Sequence, residues 1–184
     1  RILISNDDGI DAPGLKVLEK IARKLSKDVW VVAPETEQSA AGHSLTLRRP
    51  LRIRKVSKQR YAIDGTPTDC VLLGVNEVMR EKRPDLVLSG INRGGNLGED
   101  VTYSGTVAAA MEGTLLGIPS VAVSQVVTDR TKPRWATAEH WVPKVLKQLV
   151  KNSWPQNVLI NVNIPDVPTQ AVTGVEVNRQ GRRK

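Results

Sequence analysis

The sequence predicts an α/β protein, a three-layer sandwich around a mostly parallel sheet with a basic β-hairpin inserted into it. Three patterns lead there. Apolar, β-branched runs of strand length recur along the chain, amphipathic stretches of helical spacing lie between them, and one polar segment alternates with a period of two. Strands and helices in alternation imply right-handed βαβ crossovers, which cover both faces of a parallel sheet with helices.

The first strand is expected over residues 2–4. Leu15, Leu18, Ile21, Ala22 and Leu25 then form the apolar stripe of a helix that begins near Pro13. A second strand follows at 29–33. Residues 44–64 change character: Leu51 and Ile53 alternate with Arg52 and Arg54, the mark of an exposed antiparallel hairpin. Thr66-Pro67-Thr68-Asp69 supplies a capping threonine, proline at the first helical position and an acid three residues after the cap. That logic accounts for all four residues, so this helix start reads as structural. Strands are expected again at 86–88, 121–123 and 158–164. Between them, Ser104 caps the helix-forming run that follows it, and Ala138, Trp141, Val142, Val145, Leu146 and Leu149 line another helix. Pro143 should kink that helix or delay its start.

A chain of 184 residues with 40% apolar and 25% charged residues fits one ordinary globular domain spanning 1–184 and excludes disordered, collagen-like and coiled-coil classes. Its longest uncharged stretch, 113–128, contains Pro119 and two glycines and is shorter than a bilayer-spanning helix. No basic segment followed by an apolar core opens the chain, so neither export nor membrane insertion is expected. One cysteine, Cys70, cannot form an internal disulfide, which suits a reducing compartment and places the protein in the cytoplasm. Two histidines, His43 and His140, are too few for a polyhistidine zinc site. A net charge of +8 points to an anionic partner.

In an open parallel sheet the loops at the carboxyl ends of the strands carry the site. Here those loops hold Asn6-Asp7-Asp8-Gly9, residues 34–39, and Ser89 through Asn96. Adjacent Asp7 and Asp8 repel one another and need a cation, a proton or water. They could instead serve an Asx-turn or a helix cap. With Asn92 and Ser39 they would make an all-oxygen shell suited to Mg²⁺ or Mn²⁺. Tyr103-Ser104-Gly105-Thr106, preceded by the glycines of 94–98, offers free backbone N–H groups at a helix start, a cradle for phosphate or an ordinary cap. The hairpin carries Arg48, Arg49, Arg52, Arg54, Lys55, Lys58 and Arg60 with no acid among them. It reads as a charged edge protected from aggregation or as a collar for phosphorylated substrates. His43 beside it could donate a proton. No G-x-G-x-x-G, G-x-x-x-x-G-K-S/T or G-x-S-x-G occurs, which argues against a dinucleotide fold, a P-loop enzyme and a serine esterase.

Ile4-Ser5-Asn6-Asp7-Asp8-Gly9-Ile10, Val31-Val32-Ala33-Pro34, Ser39-Ala40 with Ser44-Leu45-Thr46, Gly65 through Cys70, Ser89-Gly90-Ile91-Asn92 and Tyr103 through Val107, in that order, resemble the SurE survival-protein family. The similarity continues weakly through Ile118-Pro119-Ser120 and Asn161 through Pro165. It implies a Rossmann-like sandwich and a divalent-metal-dependent 5′(3′)-nucleotidase that hydrolyses nucleoside monophosphates, often with activity on short polyphosphate. It further implies one Mg²⁺ or Mn²⁺ per subunit on Asp7, Asp8, Ser39 and Asn92, with phosphate contacts at Asn96 and Ser104. Gly105 and Thr106, in the same motif, complete the expected phosphate-binding set. Catalysis would rest on Asp7 and Asp8, one as general base or as nucleophile. Family members form dimers or tetramers and continue into a C-terminal segment exchanged between subunits, which the 184 residues do not include. The competing expectation is a nucleic-acid or polyanion-binding module on the hairpin, weakened by four Trp, two Tyr and no Phe to stack on bases.

Overall fold

The computed structural model describes residues 1–128 and 132–182. Seven strands form one sheet: β1 (Ile2–Ser5), β2 (Val29–Pro34), β3 (Ile53–Ser57), β4 (Arg60–Ile63), β5 (Leu86–Arg93), β6 (Ser120–Gln125) and β7 (Ile160–Ile164). Their spatial order is β3-β4-β2-β1-β5-β6-β7, and every neighbouring pair is parallel except β3 with β4. The five strands expected in the α/β core all form.

The described residues form five α-helices: α1 (Pro13–Ala22), α2 (Pro67–Leu73), α3 (Asp100–Tyr103), α4 (Gly105–Leu115) and α5 (Trp135–Asn152), with the short α3 packed on α4. Helices α1 and α5 bury Leu15, Leu18, Ile21, Val142 and Leu146 on one face of the sheet. On the other face α2 brings Cys70 and Val71, and α4 brings Ala109, onto Leu3, Val32 and Val87. The central strands are covered on both sides, which is why they read as unbroken apolar runs. Cys70 is buried, and burial pushes its thiol well above the usual range.

The antiparallel hairpin forms as β3 and β4, and its place is fixed: β4 pairs in parallel with β2, with Val32 opposite Tyr61, so the two strands complete one edge of the sheet. Residues 44–52 add no strand to it. Helix α5 begins at Trp135 and runs through Pro143 to Asn152, earlier than the proline suggested. A one-turn π-helical segment at Gly74–Val78 and a 3₁₀ turn at Thr169–Ala171 had no clear sequence signal.

Strand order places the site. From β1 the chain crosses to β2 on one side, and from β5 it crosses to β6 on the other. The carboxyl ends of adjacent β1 and β5 therefore flank a topological switch point, where open α/β sheets bind ligands.

Candidate active site

Asp7 and Asp8 leave β1 at this switch point. The turn is held by Asn6, whose Nδ2 donates to the Gly9 carbonyl at 2.9 Å, and by Gly9 in a left-handed conformation with φ of 99°. The α1 N-cap is Ala12, without a side-chain hydrogen bond, so neither aspartate is spent on capping that helix. Asp7 is 5% exposed. The Thr106 hydroxyl donates to its Oδ1, the Thr106 backbone also binds the carboxylate, and burial still raises Asp7 above the usual carboxylate range. Asp8 is pushed up to about 7, by burial first and then by the negative charges of Asp7 and Glu37, against weaker relief from the backbone and charge of Arg93. Neither carboxyl group has an ion-pair partner among the described residues, and the charge of Asp7 bears on Asp8.

The helix start beside them has two occupants. Ser104 is the N-cap of α4, its Oγ accepting from Val107 N–H at 3.1 Å, as its place in the sequence suggested. Its own hydroxyl proton is left to donate elsewhere. Thr106, by contrast, turns both hydroxyl and backbone toward Asp7. Gly105 lies so close that a Cβ there would stand 2.6 Å from the Asp7 Cβ. The spacing of the sequence marked this segment as an anion cradle but gave no sign that Asp7 shares it.

Asn92 is near the end of β5, where Nδ2 donates to the Gly94 carbonyl at 2.8 Å, so that Oδ1 is the side-chain oxygen that could hold a cation. The Gly90–Ile91 peptide just before it is cis, and the β5–β6 register shifts between Ser89 and Asn92. Asn96 is 6% exposed and fixed on three sides: Nδ2 donates to Ser124 Oγ at 2.7 Å, its N–H donates to Asn163 Oδ1 at 2.8 Å, and its carbonyl accepts from Asn161 and Asn163. Sequence reasoning assigned Thr106 to the phosphate and not to Asp7, and did not find Ser124, Asn161 or Asn163 as supports. Ser39 is exposed and donates to Glu37 Oε1 at 2.6 Å. Its loop is tied to the aspartates by Gln38 N–H, which donates to the Asp7 carbonyl at 2.7 Å. The structure therefore joins Asp7 to Thr106 and Gly105 directly, places Asp8 against the Arg93 backbone beside Asn92, and brings the Ser39 loop to Asp7 by main-chain contact.

Among the described residues no three His, Cys, Asp or Glu side chains gather into a metal cluster. A cation here would rest on two carboxylates and neutral oxygens. That donor set suits a hard divalent ion, and the elevated carboxyl groups and the partnerless buried Asn6 Oδ1 fit an added positive charge.

The basic hairpin is less free than its sequence suggests. Arg54 and Arg52 pair with Glu35 at 2.6 and 3.2 Å, Arg49 with Asp64 at 3.1 Å and Arg60 with Glu19 at 2.7 Å. These acids come from outside the run of arginines, which is why the run looked unbalanced. Among the described residues Arg48, Lys55 and Lys58 make no ion pair.

Fold and site together define an open, mostly parallel α/β protein with paired carboxylates beside a helix start at the switch point. The family model for survival protein SurE matches residues 2–184. A 5′-nucleotidase SurE of Paramagnetospirillum magneticum is 72% identical over 184 residues, covering 100% of this chain and 71% of that protein. One from Parvibaculum lavamentivorans is 61% identical over 185 residues, covering 100% of this chain and 67% of that protein. The crystal structure of SurE protein from Aquifex aeolicus superposes with a TM-score of 0.92 at 44% identity, covering 99% of this chain and 73% of that one. The chain belongs to the SurE survival-protein family.

Proposed function

We propose that the protein is a divalent-metal-dependent phosphomonoesterase, a 5′(3′)-nucleotidase that converts nucleoside monophosphates to nucleoside and phosphate. The observation that carries the reading is Asp7, buried against the N-terminus of α4, with half-buried Asp8 next to it and its carboxyl pushed up to about 7. The relatives named 5′-nucleotidase SurE support the substrate class.

Asp7, Asp8, Asn92 and Ser39 would hold one Mg²⁺ or Mn²⁺ per subunit. When bound, such an ion supplies Lewis-acid neutralisation of charge at the phosphoryl group. Ser104 donates its hydroxyl proton to a phosphoryl oxygen, and the backbone N–H of Gly105 and the positive end of α4 stabilise the charge that develops there. Asn96, locked by Ser124 and Asn163, would contact the phosphate from the loop after β5. Thr106 fixes the rotamer of Asp7. The ester P–O bond breaks as a nucleophile adds to phosphorus, and the leaving nucleoside oxygen takes a proton, either the one that Asp8 has accepted from water or one from solvent. Asp8 accepts the proton of the attacking water, or Asp7 attacks first and water releases the phosphoryl group.

Short polyphosphate is a second substrate in this reading, reached through Arg48, Lys55 and Lys58 on the hairpin. The assembly is a homodimer or homotetramer, and the compartment is the cytoplasm; among the described residues no helix is long and apolar enough to cross a membrane. The alternative of a nucleic-acid module loses ground because four of the hairpin's arginines are held by acids.

The deciding experiment is phosphate release from a panel of nucleoside monophosphates with Mg²⁺, Mn²⁺ or a chelator. Release that persists in chelator rejects metal dependence, and no release from any nucleotide rejects the substrate class.

A further inference from the structure

We propose that His43 and Glu112 form a positioning latch that holds the Ser39 loop in register with α4, the helix that supports Asp7 and presents Ser104. This rests on the reading of Asp7, Asp8, Ser39 and Asn92 as a cation site. After Gln38 binds the Asp7 carbonyl, the chain passes through exposed Ser39 and Ala40, with Ala40 and Gly42 in left-handed turns of φ 61° and 55°. Among the described residues the Ser39 side chain bonds only to Glu37, inside its own loop. Ser39 is therefore placed from outside, by what anchors the residues after it.

Those anchors are close together. Gly42 N–H donates to the Tyr103 carbonyl at 3.2 Å, and Thr46 donates from N–H and hydroxyl to the two Asp69 oxygens at 3.0 and 2.7 Å. Between them His43 Nε2 meets Glu112 Oε2 at 2.9 Å. Glu112 is 7% exposed in the middle of α4, and His43 is its side chain's sole partner among the described residues. A buried carboxylate with one partner is a poor source of stability, since an apolar residue of similar size would pack there at less cost. What the pair provides is a directional contact between the loop that carries Ser39 and the helix whose first turn holds Asp7. Asp69, which first looked like a capping residue alone, fastens the same loop one step further on.

The test titrates Mn²⁺ into metal-stripped protein by calorimetry. His43→Ala and Ser39→Ala should each weaken Mn²⁺ binding by about tenfold, the range for groups that orient a metal ligand. The double variant should be no weaker than Ser39→Ala, because the latch acts through Ser39. His43→Gln and Glu112→Gln, which keep a hydrogen bond, should restore binding. Wild-type affinity in His43→Ala, or losses that multiply in the double variant, overturns the latch. Should His43→Ala fail to fold, Glu112→Leu takes its place in the cycle, since it removes the acceptor without leaving a buried charge. Asp7→Asn separates the two readings. If it abolishes Mn²⁺ binding while the Ser39 and His43 losses multiply, the latch alone falls; if it binds as wild type does, the cation site and the latch fall together.

Discussion

At Asp8, burial and the charge of Asp7 act in one direction and hold the carboxyl near 7, against 3.8 for an ordinary aspartate. The folded chain then binds this proton more tightly than the unfolded chain. The resulting stabilisation is full below about pH 4 and is lost as pH rises toward 7. Metal-free protein should therefore weaken across that window, and Asp8→Asn should remove the share of the dependence that Asp8 contributes, leaving that of Asp7, with a gain at pH 8 of at most roughly 4 kcal/mol. Urea denaturation in chelator at pH 4.5 and pH 8 measures it, and parallel curves for both proteins would reject the assignment. With Mn²⁺ present, Asp7→Asn and Asp8→Asn should each lower turnover by roughly 100-fold or more, read as phosphate release. The paired aspartates were legible because two adjacent acids after a short apolar strand demand an explanation. The bond from Thr106 to Asp7 was not, because it joins residues 99 apart in sequence.

The element with most to lose from a single methyl group is α4. Gly105→Ala would set a Cβ at 2.6 Å from the Asp7 Cβ and 3.0 Å from Oδ2, so either the helix or the aspartate must shift. We expect a loss of about 1 to 3 kcal/mol in stability and a fall in turnover larger than that of Ser104→Ala. The latter removes the cap and the proposed phosphate donor, but leaves Asp7 in place. Thermal melts and rates on the two variants decide this; a Gly105→Ala enzyme as active as wild type would show that Asp7 need not stay against the helix. Helix starts at Thr66 and Ser104 were readable because capping is local chemistry within four residues. Helix α5 was harder to place. Pro143 argues against a helix passing through it, yet Ala138, Val142 and Leu146 on either side are buried on the sheet with α1 and hold the helix together.

Across the whole molecule, a net charge of +8 is distributed less freely than composition implies. With Arg52 and Arg54 on Glu35, the unpaired cations of the hairpin are Arg48, Lys55 and Lys58. Replacing these three with Ser should raise KM for tripolyphosphate several-fold at low salt and leave nucleoside monophosphate hydrolysis unchanged. The difference should close at high salt, where exposed charges are screened within a few ångströms. Equal loss on both substrates would mean that the hairpin does not distinguish them. The sequence by itself determined the layered α/β class, the strands of the core, the two capped helix starts and the pair of acids at the end of β1, because each depends on periodicity or on neighbours a few residues apart. Only the tertiary structure decided that the hairpin extends the sheet, that its arginines are matched by Glu35, Asp64 and Glu19, and that Thr106, Gly105, His43 and Glu112 surround the aspartates' loops. Those contacts join distant segments, and it is the strand order, with β1 and β5 side by side at the switch point, that brings them together.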